Sequence, residues 1–345
     1  MKYIKGYDTL RAFSIILVLI NHLGVLQFLP ETDFYRQRVW LLVSGTTGVQ
    51  IFFTLSGFLI TRILLQELNE HRSIKFVYFY IRRFLRLLPP LIIFYTVVAI
   101  LMSQNMLRPS AHSFLLSFAY MYNFVPNKLY IPELGHTWSL ALEEQYYLIW
   151  PFIINFLNKK LIYVFIALII MACFAALYIY PQYYFVNHYK TERWFIPAVA
   201  PVIIGSLAAL LINQKDAVFG PYFKQKYASV LVGLLLFLFP LYTPFIKPSF
   251  IVQSIGISLF LVWLLYNQES RLTAILNNKL TSYIGRISYG IYVYQGLFLR
   301  TSPGGELWIQ KFPQNIILTL LVAILSFELI EKAVLKRKRN FSRAK

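Results

Sequence analysis

Apolar runs recur along the whole chain, separated by short polar stretches that are mostly basic. At about 1.5 Å of rise per residue, a helix crossing a bilayer needs roughly 17 to 25 mostly apolar residues. Runs near 9–28, 46–65, 87–105, 141–157, 161–180, 194–213, 228–245, 249–267, 285–300 and 314–334 are the candidate spans. A further run near 111–125 is shorter and carries Ser113, Ser117 and Asn123, so it reads as re-entrant or interfacial. The pattern predicts an all-α, polytopic membrane helix bundle of about ten transmembrane helices, forming one domain over residues 1–345.

Composition agrees with that pattern. Of 345 residues, 58% are hydrophobic and 14% charged, and the mean hydropathy is +0.58. A water-soluble domain of this length has too little interior to bury so much apolar surface. The single cysteine, Cys173, lies within an apolar run, which leaves no intramolecular disulfide and no cysteine-based metal site.

Charge then orients the bundle. The formal net charge of +19 comes from 33 Lys and Arg against 14 Asp and Glu. In a soluble protein such an excess points to nucleic acid, but here it sits between apolar runs, as cytoplasmic loops require. Lys2, Lys5 and Arg11 put the N-terminus inside. The stretch from Arg72 to Arg86, the Lys159–Lys160 pair, the Lys215–Lys226 loop, the stretch from Arg271 to Arg286 and the tail 336–345 follow on the same side. That parity holds if 111–125 does not cross, and it leaves Lys190 and Arg193 as the outward exception. The first run continues through residues 26–30 with no small-residue cleavage site, so an uncleaved first helix is expected in the cell (inner or plasma) membrane. Basic surfaces of this kind also attract anionic lipid or a phosphorylated cosubstrate.

Ionisable side chains inside spans are expensive and therefore functional candidates. Arg11 and His22 are eleven residues apart on the first helix, about 1100° of rotation or three turns plus roughly 20°. They share a face about 16 Å apart along the axis. A snorkelling interfacial arginine and a histidine capped by a backbone carbonyl is the plainer reading. In Gly48-Val-Gln-Ile-Phe-Phe-Thr-Leu-Ser-Gly-Phe58, Ser56 and Gly57 fit either a close helix crossing or a chemical role. Arg83 and Arg86 are neighbours on one helical face, suited to phosphate or to membrane anchoring, and Pro89–Pro90 mark a turn or the first turn of the third span. In Gly135-His-Thr-Trp-Ser-Leu-Ala-Leu-Glu-Glu-Gln-Tyr-Tyr147, a Ser, a His and two carboxylates gather at the mouth of a span. A carboxylate there can orient an imidazole or bind a sugar hydroxyl. Glu328 and Glu331 read as structural partners of Lys332 and the tail.

In this order, the segments resemble the acyltransferase-3 family of membrane acyltransferases. The matching pieces are Arg11 and His22 with ten residues between, Gly48-Val-x-x-Phe-Phe-x-x-Ser-Gly-Phe, Arg83-Phe-Leu-Arg86, and Thr137-Trp-Ser-Leu-x-x-Glu143-x-x-Tyr-Tyr147. The resemblance runs from Tyr7 to about Leu335. It implies an O-acyltransferase that takes an acyl group from cytoplasmic acyl-CoA, with acetyl expected and succinyl the alternative, and passes it to a hydroxyl of a cell-surface or exported carbohydrate. It implies His22 as the catalytic histidine and Arg11, Arg83 and Arg86 as its basic partners. Gln50 stands where many relatives carry an acid, and Gln295 where many carry a histidine. Some members add a C-terminal esterase-like domain, and this chain, ending after its basic tail, is expected to be a stand-alone member.

The expected mechanism has His22 as general base and Glu143 orienting it or binding the acceptor, with Arg11, Arg83 and Arg86 holding coenzyme A phosphates. Ser56, Trp138, Ser139, Glu144 and Tyr147 are supporting candidates. A covalent acyl-histidine relay is the alternative route. No bound cofactor and no nucleic-acid partner are expected; acyl-CoA is a cosubstrate. The reading from a different class is a flippase for a lipid-linked saccharide, with the same charges lining a pathway.

Overall fold

The computed structural model describes residues 3–25, 38–187, 190–214, 216–224, 227–243, 248–300, 305 and 307–337. Lys2, residues 26–30, Lys215, Lys226 and the tail from residue 338 lie outside them.

The candidate apolar runs fold as helices, and the described residues contain no strand. The principal helices are α1 Tyr7–His22, α2 Gly45–His71, α3 Phe76–Ser103, α4 Thr137–Phe156 and α5 Lys159–Asn187. They continue with α6 Ala200–Gln214, α7 Ala228–Phe237, α8 Ser249–Tyr266, α9 Lys279–Phe298 and α10 Gln314–Ser326. Local chemistry sets several starts. Ser44 accepts from the Thr47 amide (3.3 Å) at the head of α2, and Asn278 accepts from the Leu280 amide (2.8 Å) at the head of α9. Arg72, in the left-handed region at φ 56°, ends α2.

Among the described residues, four helices are long and apolar enough to cross a membrane: α2, α3, α8 and the Lys159–Ile179 part of α5. In α2, 72% of the most apolar stretch is buried inside the protein, against 22% in α5. So α2 is the central post, while α5 turns Leu161, Leu168 and Met171 outward to an apolar surround.

Four of the runs differ in their bounds from those expected. Pro89 and Pro90 lie inside α3, which begins at Phe76 and runs unbroken for 28 residues, about 42 Å. Helices in lipid tolerate proline where neighbouring elements satisfy the freed backbone. Pro89 and Pro90 leave the Leu85 and Arg86 carbonyls without their helical donors, and the Tyr289 hydroxyl donates to the adjacent Leu87 carbonyl (3.3 Å). The stretch from Phe76 to Arg86 is therefore helix rather than loop. The run near 194–213 divides into Phe195–Ala198 and α6, and the run near 228–245 into α7 and Phe239–Tyr242. The run near 314–334 passes from α10 through a π-helical turn, Phe327–Glu331, into Lys332–Arg337. Residues 111–125 form the eight-residue helix Ala111–Phe118 and a 3-10 turn at Tyr122–Phe124, far short of a bilayer.

Backbone contact between small residues locks the centre. A Cβ on Gly205 of α6 would collide with the Thr54 carbonyl of α2, and one on Gly57 of α2 with the Val202 carbonyl of α6. Neither obstacle is a flexible side chain. Gly205→Val is expected to cost about 1–3 kcal/mol by overpacking and to lower the Tm of the detergent-purified protein. An unchanged Tm would mean that the two helices do not meet there. A Cβ on Gly285 of α9 would strike the Asp8 carbonyl, so α1 lies hard against α9, which fixes where Arg11 points.

Candidate functional site

Arginines converge on one partly open cavity of about 290 Å³ between α2, α3, α4 and α9, to which α1 contributes Arg11. Its walls are mainly apolar, with Arg11, Arg82, Arg83 and Arg86 facing a single lining carboxylate, Glu143. Arg11 is held by Asp8 (2.6 Å) and Arg82 by Glu67 (3.3 Å). Arg83 lies over the Tyr147 ring (3.4 Å to its centre), with Glu144 at 3.8 Å and a buried Nε that no acceptor meets. Arg86 differs from the others. Arg11 and Arg83 are the like charges that act on it, and among the described residues no carboxylate comes within ion-pairing distance. Glu143 and Glu331 act on Arg86 only from farther away. An uncompensated guanidinium beside two others is a ready anion site.

Ser56 is hydrogen-bonded to the Tyr147 hydroxyl in the cavity wall. The far end is formed by Ser139, whose hydroxyl meets that of Tyr292 at 2.5 Å. The Tyr292 hydroxyl also contacts the His136 carbonyl (3.1 Å).

One turn further along α9 lies the histidine layer. His22, the last residue of α1, sets Nδ1 3.0 Å from Oε1 of Gln295. A carbonyl oxygen only accepts, so with this amide orientation Nδ1 carries the proton and Nε2 keeps the lone pair. Beside it, His136 is buried against the backbone of Gly296, edge-on to Phe94 (5.2 Å) and Tyr292 (5.6 Å). The Glu133 and Val293 carbonyls flank its ring, but neither ring nitrogen makes a hydrogen bond. Trp138 packs edge-on to Phe53 (6.0 Å), with the Arg193 guanidinium 5.7 Å from its ring centre.

The structure thus gathers Arg11, Ser56, Arg83, Arg86, Ser139, Glu143 and Tyr147 around one cavity. Glu144 braces Arg83 from outside the lining, while Trp138 and His22 lie beyond the Ser139–Tyr292 end. Arg11 and His22 both turn inward, one to the cavity and the other to α9.

Of the two roles expected for Glu143, orienting His22 or binding the acceptor, the geometry does not supply the first: Glu143 lines the cavity and the His22 ring meets Gln295. Seven residues, about 10 Å of helix, separate Glu143 from His136 at the level of His22, so the carboxylate falls among the arginines instead. Gln295 takes the orienting place. Gln50 is structural, its amide donating to Ser254 (3.1 Å) and to the Phe250 carbonyl. Glu328 pairs with Lys332 (2.9 Å), whereas Glu331 is buried and accepts from Ser326 (2.9 Å).

The family model described as "Acyltransferase domain" matches residues 4–329. The peptidoglycan O-acetyltransferase OatA of Listeria monocytogenes is 28% identical, with 99% of this chain and 57% of that protein aligned. A Staphylococcus aureus (strain COL) protein named "Putative O-acetyltransferase SACOL0978" is 27% identical over 96% of this chain and 57% of its own length. The Bacillus subtilis protein named "Putative peptidoglycan O-acetyltransferase YrhL" is 39% identical over 44% of this chain and 23% of its own length. The chain thus spans little more than half the length of the first two relatives. No solved structure matches it. Because the family match takes in α1 to α9, and with them the cavity and the histidine layer, the chain belongs to the acyltransferase-3 family of membrane acyltransferases.

Proposed function

We propose that this chain is a multi-pass O-acyltransferase of the cell membrane, a single domain of about ten spans with both ends cytoplasmic. It moves an acyl group, acetyl first, from cytoplasmic acyl-CoA to a hydroxyl of an exported or cell-surface carbohydrate. Relatives named as peptidoglycan O-acetyltransferases make a cell-wall glycan the first acceptor to try. The observation that carries the reading is the convergence of Arg11, Arg83 and Arg86 on one cavity, with Arg86 lacking a carboxylate, at the opposite end of α1 from His22.

Coenzyme A carries phosphates at one end, a thioester at the other and a long flexible arm between. The arginines suit the phosphates, and His22, about 16 Å away along α1, suits the reacting carbonyl. The Ser139–Tyr292 pair stands on the path between them. In the direct reaction, Nε2 of His22 takes the acceptor hydroxyl proton as that oxygen bonds to the thioester carbon. The carbon–sulfur bond then breaks and the proton passes to the departing thiolate. Glu143, acting on Arg83 and Arg86, holds those guanidiniums in place for the donor.

The purified chain, given acetyl-CoA and a peptidoglycan-derived glycan, is expected to release free thiol in step with acceptor acetylation. No release above the protein-free rate would favour the flippase reading instead.

A further inference from the structure

The rim around His22 carries charge that the donor does not use. Lys190 and Arg193 flank the 3-10 turn Thr191–Arg193, at the His22 end of the molecule and opposite the arginine cavity. Lys190 Nζ lies 4.1 Å from the centre of the Tyr130 ring, and the Arg193 guanidinium 5.5 Å from the same centre. Two like charges over one aromatic face repel, and among the described residues neither has a carboxylate within ion-pairing distance. Glu192 between them is exposed, and Glu133 is taken by Arg300 (2.8 Å). Arg193 Nη1 is buried and has no hydrogen-bond partner among the described residues, and the charge of Arg193 reaches the His22 ring. Tyr130 and Trp138 add flat apolar faces of the kind on which sugar rings stack.

We infer that Lys190 and Arg193, set against Tyr130 and Trp138 at the His22 end, form the acceptor subsite and bind a carboxylate or phosphate of an anionic carbohydrate. This assignment rests on the acyl-transfer reading for its role, though not for its ligand chemistry. The anion offsets the paired cations, which brings a ring hydroxyl toward His22.

The test is direct binding to the full chain in nanodiscs of zwitterionic lipid. The probes are the N-acetylglucosamine–N-acetylmuramic acid disaccharide, its methyl ester and N-acetylglucosamine 1-phosphate. The free acid and the phosphate are expected to bind at least ~10-fold more tightly than the ester, about 1.4 kcal/mol. Arg193→Gln should bring the acid down to the level of the ester, and Arg193→Lys should keep part of the preference. Acetyl-CoA affinity is the control for folding, and Lys190→Gln serves if Arg193→Gln fails it. Equal binding of acid and ester, no binding of any of the three, or an undiminished preference in folded variants would overturn the assignment. Nanodiscs containing phosphatidylglycerol should leave the preference in place; its loss there would give the subsite to a lipid headgroup. Coenzyme A release is measured separately. Its absence beside intact anion selectivity would retire acyl transfer and leave the subsite standing.

Discussion

His22→Ala is expected to lower acyl transfer roughly 10²–10⁴-fold, the usual contribution of a positioned general base, while acyl-CoA affinity stays near wild type. The two effects separate because His22 lies at the far end of α1 from Arg11 and does not line the arginine cavity. Folding should survive, since His22 is the last residue of its helix and only half-buried. Gln295→Leu tests the orienting contact by another route. It removes the acceptor at Nδ1, so the ring is free to place its proton on either nitrogen, and kcat should fall with little change in KM. Turnover at the wild-type rate in His22→Ala would remove the assignment. The variant also separates the two chemical routes. In a relay, acetyl-CoA without acceptor leaves an acetyl group on His22 of the wild-type chain, visible by peptide mass spectrometry, whereas direct transfer leaves none.

The helices were legible because lipid demands long apolar runs, and a run of that length has few other ways to fold. The breaks were not. Proline reads as a boundary in a soluble helix, yet α3 passes through Pro89 and Pro90, while the breaks before α6 and after α7 do fall at Pro197 and Pro240, so the residue type alone does not say which prolines interrupt.

At the site, spacing within one helix was informative and partnership between helices was not. The three-residue interval of Arg83 and Arg86 put both on one helical face, and that face lines the cavity. Nothing local marks Gln295, 273 residues from His22 in sequence, as the partner of its ring. Asp8 and Tyr292 were missed for the same reason. His136 was visible in Gly135-His-Thr-Trp-Ser as one polar residue among several, but only the fold shows a buried imidazole set between the Glu133 and Val293 carbonyls. Glu143 was noticed for its charge and left with two possible roles, because sequence did not say at what depth α4 meets the arginines. Lys190 and Arg193 broke the charge pattern of the loops, and that exception was their only signal.

Arg86 offers the sharpest contrast between binding and stability. Removing one charged contact to a phosphate costs about 1.5–3 kcal/mol, so Arg86→Gln should raise the KM for acetyl-CoA by roughly 10- to 100-fold and leave kcat much less changed. A purely structural arginine would behave otherwise, because its loss would expose a partner and lower stability. Among the described residues Arg86 has no ion-pair partner to strand, and its neighbours Arg11 and Arg83 repel it. Its removal should leave the Tm unchanged or raise it, as happens where a site keeps a charge that folding does not need. Added salt supplies a second check, since it screens a cationic cluster seen by a polyanion. Wild-type KM should rise with ionic strength, and that of Arg86→Gln should rise less steeply. A lower Tm with unchanged KM would make Arg86 an anchor of the fold and leave the cavity without its phosphate site.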